Sequence, residues 1–204
     1  MITFNYGTVN SSKTMNLLAL VHNYEAKNVK VYLVKQATDT REDDIKSRVG
    51  LHHKADFIYG TGNSANRANL AGLIRKAVDE DAVVVFDECQ FMDYEDVKLI
   101  EEVTYDEICR SAIRVHNFAI IGYGLLTDFA GKLFDGSRGW VEISKKLNEV
   151  TTTCFLCNRK ATRNYLKVDK QPVEGNIVIG DTEYIHVCSK HYYLLSHPEI
   201  KILV

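Results

Sequence analysis

The chain has 204 residues, 46% of them hydrophobic, which is enough for one sizeable core or for one core with a small second lobe. Its formal net charge of -2 lacks the positive excess that proteins binding duplex DNA or RNA carry. No apolar run is long enough to span a bilayer, and the N-terminus lacks a signal-peptide pattern. We therefore expect a cytoplasmic protein with neither a membrane nor a nucleic acid as its partner.

Short β-prone runs alternate with helical stretches through the first 150 residues. Strands are predicted at residues 2–6, 29–34, 82–86 and 118–122, and helices at residues 13–26, 66–78 and 94–102. This alternation predicts βαβ units and a mostly parallel sheet flanked by helices. Residues 83–86 are all apolar, as expected of a central strand that is buried on both faces.

The loop after the first predicted strand fits a phosphate-binding motif. Residues 7–14 read Gly-Thr-Val-Asn-Ser-Ser-Lys-Thr, close to the pattern G-x-x-x-x-G-K-[ST]. In such a loop the backbone N–H groups surround phosphate oxygens, the lysine reaches the terminal phosphates and the threonine hydroxyl binds Mg2+. Ser12 replaces the second glycine, and a positive φ there would cost about 1–2 kcal/mol. The alternative interpretation is a polar turn that caps the helix, with Lys13 in solvent.

Two acidic residues, Asp87 and Glu88, follow the buried strand at residues 83–86. Enzymes with a phosphate-binding loop place an acid at this point to hold Mg2+. A second carboxylate beside it can take the proton of an attacking hydroxyl. In isolation an exposed turn is the favoured explanation of the pair, but the phosphate-binding motif upstream favours the functional interpretation.

The last quarter of the chain holds three of the five cysteines. An odd number without a signal peptide argues against a disulfide framework. Cys154-x2-Cys157 and Cys188-x2-His191 instead predict a tetrahedral Zn2+ site, structural because four protein ligands leave no open position. Two unrelated pairs of reduced residues are the alternative. With β-prone runs at residues 165–168, 176–179 and 182–187, we predict a zinc lobe over residues 151–204, after a nucleotide-binding domain over residues 1–150.

These motifs together resemble the thymidine kinase family of the cellular, zinc-containing type, and most closely its bacterial and phage version. Further matches are Asp39-Thr40-Arg41 and the runs at residues 47–51, 87–91, 122–134 and 179–184. The resemblance implies a P-loop NTPase fold of the RecA-like α/β class, with a small β-rich zinc-binding lobe that carries a nucleoside-binding loop. It also implies transfer of the γ-phosphoryl group of ATP to the 5′-hydroxyl of thymidine, giving dTMP and ADP.

The resemblance assigns roles to individual residues. Glu88 is the base, Thr14 and Asp87 hold Mg2+, and the zinc ligands are Cys154, Cys157, Cys188 and His191. The ATP-binding residues are Gly7, Thr8, Val9, Asn10, Ser11, Ser12, Lys13, Thr14, Arg41, Asp87 and Gln90. The thymidine-binding residues are Phe91, Leu125, Phe129, Phe134, Val178, Gly180 and Tyr184. The family further implies a homotetramer and feedback inhibition by dTTP.

Other interpretations remain open for several of these residues. Without the family, the aromatic rings would be assigned to the core, and Arg41 to a solvated charge cluster. Ser12 also leaves room for a catalytically weak homologue that binds nucleoside or nucleotide. A DNA-dependent ATPase of the recombinase type uses a similar loop, although the chain lacks its basic groove.

Overall fold

A central sheet of six parallel strands organises the structure, a computed structural model that describes residues 1–37, 44–110, 117–167 and 184–199. The strands, in chain order, are β1 (Ile2–Gly7), β2 (Val31–Gln36), β3 (Asp44–Lys46), β4 (His52–Lys54), β5 (Phe57–Tyr59), β6 (Val83–Phe86), β7 (Ala119–Leu125), β8 (Lys146–Val150), β9 (Arg163–Leu166) and β10 (Tyr184–Val187). The sheet order is β5-β2-β6-β7-β1-β8. The predicted α/β class with a mostly parallel sheet is confirmed.

Five α-helices are described: α1 (Lys13–Glu25), α2 (Ser64–Asp79), α3 (Tyr94–Arg110), α4 (Asp135–Ile143) and α5 (Ser189–Ser196). The side chain of Asn63 caps α2 by accepting a hydrogen bond from the Asn66 N–H at 2.8 Å. Helix α3 extends beyond its predicted end at residue 102, because Val103 and Thr104 continue its buried face. None of the described helices is long and apolar enough to cross a membrane.

Both faces of the sheet are covered. Val84 and Phe86 of β6 belong to a core shared with α2, α3 and α4, where Trp140 is the largest fully buried side chain. Val83 and Val85 point to the other face and join a second core with α1. This two-sided burial explains the uninterrupted apolar run of β6.

Two smaller sheets lie beside the central one. Strands β9 and β10 pair antiparallel, in agreement with part of the predicted β-rich lobe, and α5 follows them. The β-prone run at residues 176–179 lies outside the described residues. Strands β3 and β4 form an antiparallel hairpin that the sequence did not predict.

Candidate active site

The carboxyl ends of β1, β6 and β7 meet at one edge of the sheet, because these strands are parallel neighbours. The cleft at this edge is lined by residues 9–15 of the predicted phosphate loop, by Glu88 after β6 and by Leu125 at the end of β7. Residues 46–49 of the β3–β4 hairpin line it from another side. The structure therefore brings the predicted loop, the predicted base and one predicted substrate residue to a single cleft.

The phosphate loop makes a tight turn between β1 and α1. Gly7 has no room for a side chain, because a Cβ there would lie 2.5 Å from the Val150 carbonyl oxygen. Ser12, the N-cap of α1, has φ 64° and ψ 27°, which is the left-handed region that glycine occupies without strain. Its side chain makes no capping hydrogen bond. The replacement of glycine at this position therefore places a Cβ in a strained backbone conformation.

Lys13 lies inside the loop rather than in solvent. Its side chain is buried, and Nζ donates a hydrogen bond to the Thr8 carbonyl oxygen at 2.8 Å. Burial lowers the pKa of Lys13, an effect that the nearby charges of Glu88 and Asp87 oppose. A buried ammonium group of this kind favours an anionic ligand, and its position contradicts the alternative of a solvated lysine on a polar turn.

A hydroxyl that lines the cleft contacts a buried carboxylate, Asp87. Thr14 Oγ1 donates to Asp87 Oδ2 at 3.5 Å, and Asp87 is 7% exposed. Hydroxyl and carboxylate oxygens are hard donors of the type that Mg2+ prefers. The two side chains predicted to serve Mg2+ are therefore neighbours whose chemistry fits that ion.

Glu88 is held by Gln90. The Gln90 Nε2 donates to Glu88 Oε2 at 2.6 Å, while Gln90 Oε1 accepts from the Leu125 N–H at 3.0 Å. A Cβ at Gly124 would lie 2.7 Å from Gln90 Oε1, so glycine makes room for this amide. Glu88 itself has φ 49° and ψ 38°, a left-handed conformation that is rare for a non-glycine residue. The buried amide thus links the predicted base to the end of β7.

The predicted thymidine-binding aromatics are half-buried, in contrast to the fully buried rings of the core. The rings of Phe91 and Phe134 pack edge to face with centroids 6.0 Å apart. The carbonyl oxygen of Phe129 accepts a hydrogen bond from the Tyr192 hydroxyl at 2.7 Å. Tyr184 is the first residue of β10 and is also half-buried. Three predicted ligand residues lie outside the described residues: Arg41, Val178 and Gly180.

The four predicted zinc ligands form one cluster, in which all the ligand atoms lie within 4.8 Å of one another. Cys157 Sγ lies 3.9 Å from Cys188 Sγ, and His191 Nδ1 lies 3.3 Å from Cys154 Sγ and 3.5 Å from Cys188 Sγ. With Zn–S distances of about 2.3 Å and Zn–N distances of about 2.0 Å, a tetrahedral ion separates its ligands by about 3.5–3.8 Å. The cluster therefore has the donor set and the spacing of a structural zinc site.

The surroundings of Cys154 within this cluster lower the pKa of its thiol. Desolvation opposes its ionisation, but hydrogen bonds from the Cys188 backbone, from His191 and from the Leu156 N–H prevail and lower the pKa of Cys154 to about 6. The thiolate is the form of cysteine that binds metals.

Sequence reasoning missed two contributions to the cleft. The run at residues 47–51 was noted as a family-like motif but received no role, although Arg48 and its neighbours line the cleft. Asn164 on β9 accepts a hydrogen bond from the Val9 N–H at 2.9 Å and was not considered at all. No local pattern marks a single asparagine in a short strand as a partner of a loop 155 residues away.

Comparison with known proteins yields consistent matches along the chain. A family model described as thymidine kinase matches residues 1–192. The chain is 35% identical over 201 residues to a thymidine kinase of Enterococcus faecalis, covering 96% of this chain and 94% of that protein. It is 34% identical to a thymidine kinase of Streptococcus pyogenes and 32% identical to one of Streptococcus agalactiae, each over 202 residues and 97% of both chains.

Among solved structures, a Pif1 helicase from Candida albicans superposes with a TM-score of 0.41 at 12% identity. That match covers 74% of this chain and 36% of the helicase.

Proposed function

The chain belongs to the thymidine kinase family, and on this premise we propose that it transfers the γ-phosphoryl group of ATP to the 5′-hydroxyl of thymidine. The products are dTMP and ADP. One observation carries the proposal: the phosphate loop at residues 7–14 and the carboxylate of Glu88 face the same cleft. A nucleotide tail and a sugar hydroxyl can therefore meet there without crossing the sheet.

The triphosphate would lie on the N-terminus of α1. The backbone N–H groups of the loop and the positive end of the helix favour phosphate oxygens. The buried Lys13 adds a positive charge whose desolvation an anion offsets. We assign Arg41 to the same phosphates, as the family resemblance implies.

Thr14 and Asp87 would hold Mg2+ through the Thr14 hydroxyl and the Asp87 carboxylate, which lie side by side. When bound with ATP, Mg2+ neutralises phosphate charge that builds up during transfer. Gln90, which the sequence assigned to ATP binding, contacts Glu88 and the Leu125 backbone. We propose that it orients the base.

Glu88 would accept the proton of the 5′-hydroxyl. As the 5′-oxygen forms a bond to the γ-phosphorus, the bond from that phosphorus to the bridging oxygen of ADP breaks. General-base help of this kind contributes about 10²–10⁴-fold in rate. The Gln90 hydrogen bond at 2.6 Å fixes one carboxylate oxygen and leaves the other for the proton.

Thymidine would lie between Leu125, Phe91, Phe129 and Phe134 on one side and Tyr184 with the backbone near Val178 and Gly180 on the other. The half-buried rings support this assignment, because a substrate can cover the surface that they leave exposed. We propose residues 1–150 as the nucleotide-binding domain and residues 151–204 as a lobe held by structural Zn2+. A homotetramer and inhibition by dTTP are further proposals that rest on the family.

A direct assay tests the proposed function. Purified protein is incubated with γ-labelled ATP, Mg2+ and thymidine, deoxycytidine or deoxyguanosine in separate reactions. We expect label in dTMP and at least about tenfold less in the other two products, because an unpaired buried polar group costs roughly 1–3 kcal/mol. Equal transfer to all three, or DNA-stimulated ATP hydrolysis without any transfer, would refute it.

A further inference from the structure

One buried carboxamide connects two loops of the cleft. Asn164 of β9 is 4% exposed, and both ends of its side chain are hydrogen-bonded. Its Oδ1 accepts from the Val9 N–H at 2.9 Å, and its Nδ2 donates to the Thr127 carbonyl oxygen at 2.9 Å. The two partners belong to different segments, which leave the central sheet at the ends of β1 and β7.

In the proposed reaction these two segments bind different substrates. Val9 is the third residue of the phosphate loop, which receives ATP. Thr127 begins the segment that carries Phe129 and Phe134, and this segment is closed by a β-bridge between Thr127 and Leu133. Asn164 is therefore hydrogen-bonded both to the phosphate loop and to the segment after β7.

The position of Asn164 is set by the β9–β10 hairpin. In that hairpin Asn164 pairs with His186, and Arg163 pairs with Val187, directly before the cluster cysteine Cys188. A second hydrogen bond joins the helix after this hairpin to the segment after β7: the Tyr192 hydroxyl on α5 donates to the Phe129 carbonyl oxygen at 2.7 Å. The lobe that carries the cysteine–histidine cluster thus contacts the segment after β7 at two points and the phosphate loop through Asn164.

We propose that Asn164 is a positioning residue that holds the phosphate loop and the thymidine-binding segment in register, so that the two substrates meet at reacting distance. The inference rests on the proposed function for its catalytic meaning. Its structural content, that one amide restrains both segments, does not depend on the reaction. A displacement of about 1 Å between reacting groups can lower a rate about 100-fold, so a restraint of this kind has a measurable effect.

Two substitutions of Asn164 separate its two hydrogen bonds. Asn164→Ala removes both. Asn164→Asp keeps an acceptor for the Val9 N–H but cannot donate to Thr127. Asn148→Ala is the matched control, because Asn148 Nδ2 also donates in a half-buried carboxamide pair, to Asn5 Oδ1 at 2.9 Å, but bridges strands β8 and β1 instead of the two loops.

The first measurement is amide hydrogen exchange on the intact protein without nucleotide, in peptides covering residues 8–12 and 125–134. We expect Asn164→Ala to accelerate exchange in both peptides, Asn164→Asp mainly in the second, and Asn148→Ala in neither. Melting temperature and zinc content are recorded for each variant. If Asn164→Ala does not fold, the contrast between Asn164→Asp and Asn148→Ala decides the question.

The second measurement is steady-state kinetics with ATP and thymidine. We expect kcat to fall about 10- to 100-fold in Asn164→Ala. In Asn164→Asp we expect the KM for thymidine to rise by at least about fivefold while the KM for ATP stays within about twofold, because only the thymidine side loses its restraint. The inference would be overturned if Asn164→Ala and Asn164→Asp had the same exchange rates and the same kinetics as Asn148→Ala. If the wild type transfers no phosphate to thymidine, the proposed function fails, and the exchange comparison alone decides whether Asn164 restrains both loops.

Discussion

Replacing Ser12 by glycine should stabilise the protein, because Ser12 has φ 64°. A left-handed conformation costs a non-glycine residue about 1–2 kcal/mol, which glycine avoids. Glycine also gains freedom in the unfolded chain, and this lowers stability by about 0.4–1 kcal/mol. The Ser12 side chain makes no capping hydrogen bond that the substitution would remove. The net expected gain is about 0.5–1 kcal/mol, or a rise of about 1–4 °C in Tm for a chain of this size.

Thermal unfolding of the wild type, Ser12→Gly and Ser12→Ala measures this effect. Alanine keeps the Cβ and removes only the hydroxyl, so its Tm should stay near that of the wild type. A Ser12→Gly protein that melts no higher than Ser12→Ala would refute the strain argument. The same variants examine catalysis: a rise of more than about tenfold in the kcat/KM of Ser12→Gly, equivalent to about 1.4 kcal/mol, would favour the weak-homologue hypothesis.

Three further predictions concern charge and metal. Burial raises the pKa of Tyr123 to about 12, so the stability that the protonated phenol contributes is present below pH 10 and is lost as the pH rises to 12. Between pH 10 and pH 12, the free energy of unfolding of Tyr123→Phe, measured by denaturant titration, should fall by roughly 2–3 kcal/mol less than that of the wild type. Equal losses in the two proteins would contradict this prediction. Arg67 Nε donates to the fully buried Asp96 at 2.6 Å, and Arg67→Met removes the cation of this pair. The variant should unfold at a lower urea concentration than the wild type, and an unchanged midpoint would count against a stabilising ion pair. The cluster containing Cys157 should bind one Zn2+ per chain, which elemental analysis measures. Removal of the ion by a chelator should lower the Tm, and a metal-free protein with an unchanged Tm would exclude a structural role.

The sequence predicted those parts of the fold that have a strong local signal. β6 was recognisable because residues 83–86 are buried on both faces and are therefore all apolar. The loop between β1 and α1 combines a β-prone run, a motif and a helix in immediate succession. The predicted zinc ligands occur in two short-spaced pairs, which the structure brings into one cluster.

The missed strands have weak local patterns. β5 and β8 are the short edge strands of the sheet. In β8 apolar and polar residues do not alternate between a buried and an exposed face, because Lys146, Leu147 and Glu149 are all exposed. The β3–β4 hairpin contains His52, His53 and Lys54, which lack β-prone alternation. β5 and β8 are defined by pairing with β2 and β1, which are distant in sequence, and the hairpin by pairing between two three-residue strands.

The candidate site shows the same division between local and distant signals. Asp87 and Glu88 could be assigned from their place after a buried strand. The bond between Asn164 and Val9 joins residues 155 apart, and nothing near either residue indicates the other. The separation of the two sides of the cleft therefore could not be derived from local motifs.

The most direct test of the account is the Glu88→Gln variant. Glutamine preserves the size of the side chain but cannot accept the proton of the 5′-hydroxyl, so dTMP formation should fall by about 10²–10⁴-fold. The Kd of MgATP should stay within about threefold of the wild-type value, since the proposed phosphate site is the loop at residues 7–14. Turnover near the wild-type rate, or a loss of ATP binding as large as the loss of rate, would contradict the assignment of Glu88 as the base.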